Sequence, residues 1–281
     1  MEYQKKLLKK TTVSNYSSRN SSVYDDPMNK NFVYGEITID FVNKIKLKKT
    51  DKILADIGCG TGFVFDIMHK EIKEKKIKCV GIEPAKGMLK LAKKKYKSDN
   101  NFSFLEGTFG KIPIKDRSID KITSTLALHW VPSLDDAIKE IKRVLKPNGS
   151  IDILMIAKDD GESFKQPVIK AMRKHLSFIQ IMKAAALAQR VSPKQIRKYF
   201  DDNFDLKSKY ILSVKNKRKI IYGSFDEHMK WWKARSEQII ADVKNKKEFM
   251  KDLKKELEKI KERNDIPFDL SVLYINLKIK K

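Results

Sequence analysis

The sequence predicts an α/β fold: a doubly wound, mostly parallel sheet of seven strands with helical insertions covering its ligand crevice. Three observations carry that reading. Short apolar runs alternate with amphipathic stretches between residues 53 and 156, which is the rhythm of βαβ units. The first run, Ile53-Leu54-Ala55-Asp56-Ile57, breaks into Gly58-Cys59-Gly60-Thr61-Gly62. Such glycines let the backbone turn sharply and come close to a ligand. A helix over Gly62–Lys73 follows, and the free N–H groups at its start would point back at that ligand. Strand, glycine turn and helix together open a Rossmann-like nucleotide site.

The elements follow in order. Ile37 to Ile45 has mixed helical spacing and predicts a short helix before the first strand. Ile77–Ile82 is a second strand, ending at Glu83-Pro84, and Ala85–Lys97 is an amphipathic helix. Phe102–Leu105 and Ile119–Ser124 are the third and fourth strands. In the helix Leu134–Leu145, the residues Leu134, Ala137, Ile138, Ile141, Val144 and Leu145 share one face. Pro147-Asn148-Gly149 stops it, and Ile151–Ile156 is the fifth strand. Beyond Ala157 the rhythm loosens. Phe164–Gln189 reads as one long helical stretch, and Ser192-Pro193 starts a helix to Phe200. Tyr210–Val214 is a sixth strand, Phe225–Ile240 and Lys247–Ile260 are helices, and Phe268–Ile279 is the closing strand. The expected organisation is a mobile segment over 1–25, a nucleotide-binding core over 26–160, helical cap and sixth strand over 161–265, and the closing strand over 266–281.

Composition bounds the partners. At 281 residues and 41% apolar, the chain can bury a sizeable core. No apolar run reaches the roughly 20 residues of a membrane span. Met1–Asn20 is basic and polar without an apolar centre, unlike a secretory signal. The two cysteines, Cys59 and Cys79, read as core or turn residues of a reducing compartment, so a cytoplasmic location is expected. The four histidines are scattered, with no metal-ligand spacing, and no metal is expected. The net charge of +25 suits nucleic acid, anionic lipid, an acidic partner protein or an anionic substrate. Its spread along helix faces, as at Lys90, Lys93, Lys94 and Lys97, favours a generally solvated basic surface over a dedicated nucleic-acid patch.

The glycine turn selects among nucleotides. A dinucleotide loop places its third glycine one residue later than Gly62. Asp56, two residues ahead of Gly58, would repel a pyrophosphate and attract an ammonium. S-adenosylmethionine carries an ammonium and no phosphate. Glu83 ends the second strand at the distance expected of an acid that accepts both ribose hydroxyls.

These residues resemble the class I S-adenosylmethionine-dependent methyltransferases over roughly Ile53–Ile156. Asp56 through Gly62 resembles the family's first motif, which implies cofactor contacts at Asp56, Gly58, Cys59 and Gly60. Gly81-Ile82-Glu83-Pro84 with Met88-Leu89 resembles the second, implying Glu83 at the ribose and Pro84 and Met88 beside the adenine. Glu106-Gly107-Thr108 resembles the segment after the third strand. There the family often has Asp where this chain has Thr108, which can still hydrogen-bond to adenine, and Phe109 follows where a small residue is usual, either to stack on the cofactor or to fill space. Ser124–Val131 and Leu134–Gly149 resemble a branch of methyltransferase type 11 that includes malonyl carrier-protein methyltransferases, trans-aconitate methyltransferases and a mitochondrial complex I assembly factor. That likeness implies Thr125 and Leu126 at the methionine end, with His129 and Trp130 facing the crevice.

The resemblance implies methyl transfer to a small or carrier-bound acceptor, with S-adenosylhomocysteine as co-product. A carboxylate acceptor needs no base. A hydroxyl, amine or carbon acid does, and His129 is the candidate. Tyr24 and Tyr34 either close the site from the N-terminal side or simply pack. Trp231, beside Trp232 on an insertion helix, lines the substrate pocket or belongs to the core. Two alternatives stand beside this reading. An RNA or DNA methyltransferase gains from the charge but lacks a base-flipping signature or RNA-binding module. A cofactor-binding assembly factor would not methylate at all.

Overall fold

Seven strands form one sheet in the order β3-β2-β1-β4-β5-β7-β6. They are β1 Ile53–Ile57, β2 Lys78–Glu83, β3 Phe102–Glu106, β4 Ile119–Thr125, β5 Leu145–Ile156, β6 Tyr210–Gly223 and β7 Ile266–Ile279. The first five pair in parallel, and β7 runs antiparallel between β5 and β6. Successive strands step outward from β1 to β3, then resume on its other side at β4. The carboxyl ends of β1 and β4 therefore flank the point where the winding reverses, where open α/β sheets bind ligands. The computed structural model describes residues 33–185, 188–236, 240 and 242–280. Tyr24 and the segment 1–25 lie outside the described residues.

Helices cover both sheet faces. On one lie α1 Tyr34–Val42, α2 Phe63–Glu74 and α3 Lys86–Lys95, whose buried side chains include Phe41, Phe65, Met68 and Ala92. α4 Leu134–Val144 covers the other with the apolar stripe expected of it. Ser133 caps α4, its hydroxyl accepting from the Asp136 N–H at 3.2 Å. Acids in its first turn and bases in its last complement the helix dipole. α7 Pro193–Asp201 begins with Ser192 and Gln195 in a reciprocal capping box. Among the described residues no helix is long and apolar enough to cross a membrane.

Three element readings change. Phe164–Gln189 is two helices, α5 Glu162–Met172 and α6 Phe178–Ala185. Ser177 and Gln180 restart the helix: the Gln180 side chain accepts from the Ser177 N–H and the Ser177 hydroxyl from the Gln180 N–H. β6 runs nine residues past Val214, because it pairs with β7 along its whole length at the sheet edge. There the charged run Lys215–Lys219 can face water. Pro147-Asn148-Gly149 lies inside β5, in a bulge where pairing with β4 jumps from Ile119–Leu145 to Lys121–Ser150. The remaining helices, α8 Phe225–Ser236 and α9 Lys246–Glu258, flank α5 and β7. Asp252 of α9 reaches Lys174 and His175 at 2.6 and 2.9 Å.

Candidate functional site

A cleft of about 360 Å³ opens at the carboxyl ends of β1, β2 and β4. The glycine turn forms its floor. Gly58, Gly60 and Gly62 all adopt left-handed φ, at +74°, +55° and +89°, a region that penalises residues with a Cβ. The turn is pinned to β2, since the Gly58 and Cys59 N–H groups donate to the Ile82 carbonyl at 2.8 and 3.1 Å. Its other side meets the loop after β4. Leu126 there is a left-handed non-glycine residue, and its N–H donates to the Leu154 carbonyl at 2.7 Å. That turn presses Ala127 so near Gly58 that a Cβ on Gly58 would stand 2.3 Å from the Ala127 Cβ. At Gly60 a Cβ would meet nothing within 4 Å among the described residues, so they leave the backbone there open.

Glu83 closes the adjacent wall. Its carboxylate accepts from the Gly60 N–H at 2.9 Å and the Ala85 N–H at 2.8 Å. Burial pushes its pKa from 4.5 up to about 6, against the pull of those two backbone donors. Each oxygen keeps a lone pair for a further donor. Thr108 and Lys111 exchange backbone hydrogen bonds in a tight turn after β3, which brings Thr108, Phe109 and Lys111 to the rim. Pro84, Met88, Thr125 and Leu126 line the cleft with them. Cys59 also lines it, with burial raising the thiol pKa.

Other expected site residues stand elsewhere. Asp56 is 1% exposed and is not part of the cleft wall. One of its oxygens accepts from the Thr123 hydroxyl at 3.0 Å, and Oδ2 has no hydrogen-bond partner among the described residues. Burial raises its pKa from 3.8 to about 7. His129 sits in a 3₁₀ turn, Leu128–Trp130, and is 1% exposed behind the wall. Only its neighbour Trp130 lines the cleft. Trp231 is likewise withdrawn. It packs in an aromatic cluster 4.6 Å from the Phe268 ring and 5.7 Å from that of Tyr34. Tyr34 itself lines the cleft, and its hydroxyl donates to Asp160 at 2.6 Å. The structure adds Thr38, Phe63, Lys111, Ser133 and Asp136 to the lining. Ser133 and Asp136 carry a helix-capping signal that masks this second placement, and Thr38 carries none.

Asp56 has a measurable consequence. A native carboxyl that keeps its proton to higher pH than its unfolded counterpart loses stabilising effect as pH rises, here between about 4 and about 7. The Asp56→Asn variant cannot ionise. Its melting temperature relative to the wild type is expected to climb by several degrees from about pH 5 to about pH 8. Scanning fluorimetry at both pH values checks this, and a pH-independent difference would contradict it.

The left-handed glycines and the tethered Glu83 suit a ligand with a diol, and the Glu83 carboxylate on the wall disfavours a phosphate beside it. Among the described residues, no group of three or more His, Cys, Asp or Glu could hold a metal. Residues 55–153 match the family model described as a methyltransferase domain. The demethylmenaquinone methyltransferase of Lactobacillus johnsonii is 35% identical over 117 residues, 41% of this chain and 47% of that protein. The malonyl-(acyl-carrier protein) O-methyltransferase of a Marinomonas species is 32% identical over 108 residues, 38% of each chain. This chain thus spans about half the length, or less, of these relatives. The solved structure of YcgJ from Bacillus subtilis shares the fold, with a TM-score of 0.58 and 18% identity over 88% of this chain and 99% of that one.

Proposed function

We propose that this chain, with a methyltransferase domain over residues 55–153, transfers a methyl group from S-adenosylmethionine to a small or carrier-bound acceptor. The observation that carries the reading is Glu83. It is tethered to the Gly60 N–H at the switch point of the sheet, beside a backbone that lies open. Glu83 would accept from the two ribose hydroxyls. Pro84 and Met88 would flank the adenine, with Thr108 at its edge. Gly58, Cys59 and Gly60, with Thr125 and Leu126, would surround the amino-acid end. When bound, the cofactor supplies a methyl group on a sulfonium, open to in-line displacement. The protein's part is to align the acceptor and keep water out, which Phe63, Phe109, Leu126 and Trp130 on the cleft wall suit.

His129 is withdrawn from the wall, and among the described residues that line the cleft there is no imidazole to take a proton. That favours an acceptor whose nucleophile needs no base, such as a carboxylate. Lys111, at the rim, provides a cation to draw it in. The names of the two relatives, one acting on a carrier-bound malonyl group, agree with a small or carrier-held acceptor. Calorimetric titration with S-adenosylhomocysteine tests the cofactor and is expected to give a micromolar dissociation constant. Absence of both heat and thermal shift would overturn the reading. Labelled S-adenosylmethionine added with a metabolite extract, followed by mass spectrometry of the labelled product, identifies the acceptor.

A further inference from the structure

Among the described helices, one is built unlike the others. α6, Phe178–Ala185, buries none of its residues. Ile181 and Ala184 lean on the core. Phe178, Ile179 and Met182, spaced to share a helix face, stand 75%, 66% and 53% exposed. No other large apolar side chain among the described residues is as exposed as these three. A cluster of this kind on a water-facing helix marks a surface that meets something apolar.

The charge around it is as unusual. Residues 163–200 contain no Asp or Glu, although the chain has 36, and carry nine Lys and Arg. Lys170, Arg173 and Lys183 of this stretch are exposed. Some of the other basic side chains are satisfied locally. Lys174 pairs with Asp252 at 2.6 Å, and Arg190 donates to the Asp160 carbonyl at 2.8 Å. Apolar side chains projecting from a short helix, set in a basic and acid-free segment, combine the two attractions that hold an amphipathic helix at an anionic lipid surface. An acidic protein would answer the charge. The protruding Phe178 and Ile179 would then need a matching groove, whereas a bilayer accepts them without one.

We infer that α6 docks this protein on an anionic membrane surface, inserting Phe178, Ile179 and Met182 below the headgroups while the surrounding Lys and Arg side chains meet lipid phosphates. Four residues past α6, the Gln189 N–H donates to the His129 carbonyl at 2.6 Å, next to Trp130 of the cleft lining. The inference does not depend on the methyl-transfer reading, and its test needs no cofactor.

Co-sedimentation of the full chain with vesicles of phosphatidylcholine alone, or mixed with phosphatidylglycerol, tests it. The wild type is expected to pellet with mixed vesicles and to stay in solution with phosphatidylcholine alone. The variant Phe178→Ser, Ile179→Ser, Met182→Ser is expected to lose at least about tenfold of that partitioning. Its melting temperature should be unchanged, because the replaced side chains are largely exposed. The variant Arg173→Glu, Lys183→Glu is expected to weaken binding to mixed vesicles as well. Full binding by the triple serine variant would reveal charge adsorption alone and overturn the inference. So would failure of the wild type to bind mixed vesicles. A wild-type particle of twice the mass that the triple variant reduces to monomer would also overturn it, by showing that a second copy covers the helix.

Discussion

Glu83→Ala is expected to weaken S-adenosylhomocysteine binding by about 100-fold, on the basis that two hydrogen bonds to a buried carboxylate contribute about 3 kcal/mol together. The loss has two sources. The side chain would no longer accept from the ribose, and the Gly60 and Ala85 N–H groups would lose the acceptor that orients them. Glu83→Gln separates the two. It preserves shape, but its amide nitrogen must face one backbone N–H, donor against donor, so an intermediate loss of about tenfold is expected. Titration calorimetry reads the affinities, and a melting curve shows whether the loop still folds. An affinity within threefold of the wild type for Glu83→Ala would remove this residue from the cofactor site. Because burial raises the Glu83 pKa to about 6, ligand affinity should also fall as pH drops through that value, when the carboxylate gains its proton.

The second large effect is a contrast between two glycines two residues apart. Gly58→Ala places a Cβ at 2.3 Å from that of Ala127 in a left-handed backbone. The left-handed conformation costs about 1–2 kcal/mol, and the overlap about 1–3 kcal/mol more, as the loops after β1 and β4 move apart. A melting temperature lower by several degrees and loss of cofactor binding are expected together. Gly60→Ala has the left-handed cost of about 1 kcal/mol only, since its Cβ meets nothing within 4 Å among the described residues. Its stability should change little while its affinity falls steeply, because the open space above Gly60 is where the ligand would lie. Differential scanning calorimetry with and without S-adenosylhomocysteine measures both quantities. Normal affinity in Gly60→Ala would place the ligand elsewhere.

The C-terminal half shows where local signals run out. Ser177 and Gln180 form a capping pair inside a long apolar stretch, so an uninterrupted helical period masked a real break. The lysines and arginine of β6 hide a strand, because an edge strand can expose charge along its length. In the first half the pattern was far more legible. Parallel strands buried on both faces must be apolar throughout, and the left-handed turn that follows β1 has to be built from glycine.

The order of strands and helices, the glycine turn and the acid at the end of β2 were thus determined by the sequence alone. Each depends on residues within a few positions of one another: a period, a cap, a φ that only glycine takes easily. Which side chains enter the cleft was decided by the tertiary structure. His129 and Trp130 are neighbours in one turn, yet only Trp130 lines the wall, and the carbonyl of His129 is held by Gln189 from sixty residues away. Trp231 packs against Tyr34 and is absent from the lining, while Thr38, Lys111 and Asp136 arrive from three separate segments. Side-chain direction in a loop follows from contacts with distant chain, and neither period nor propensity records those contacts.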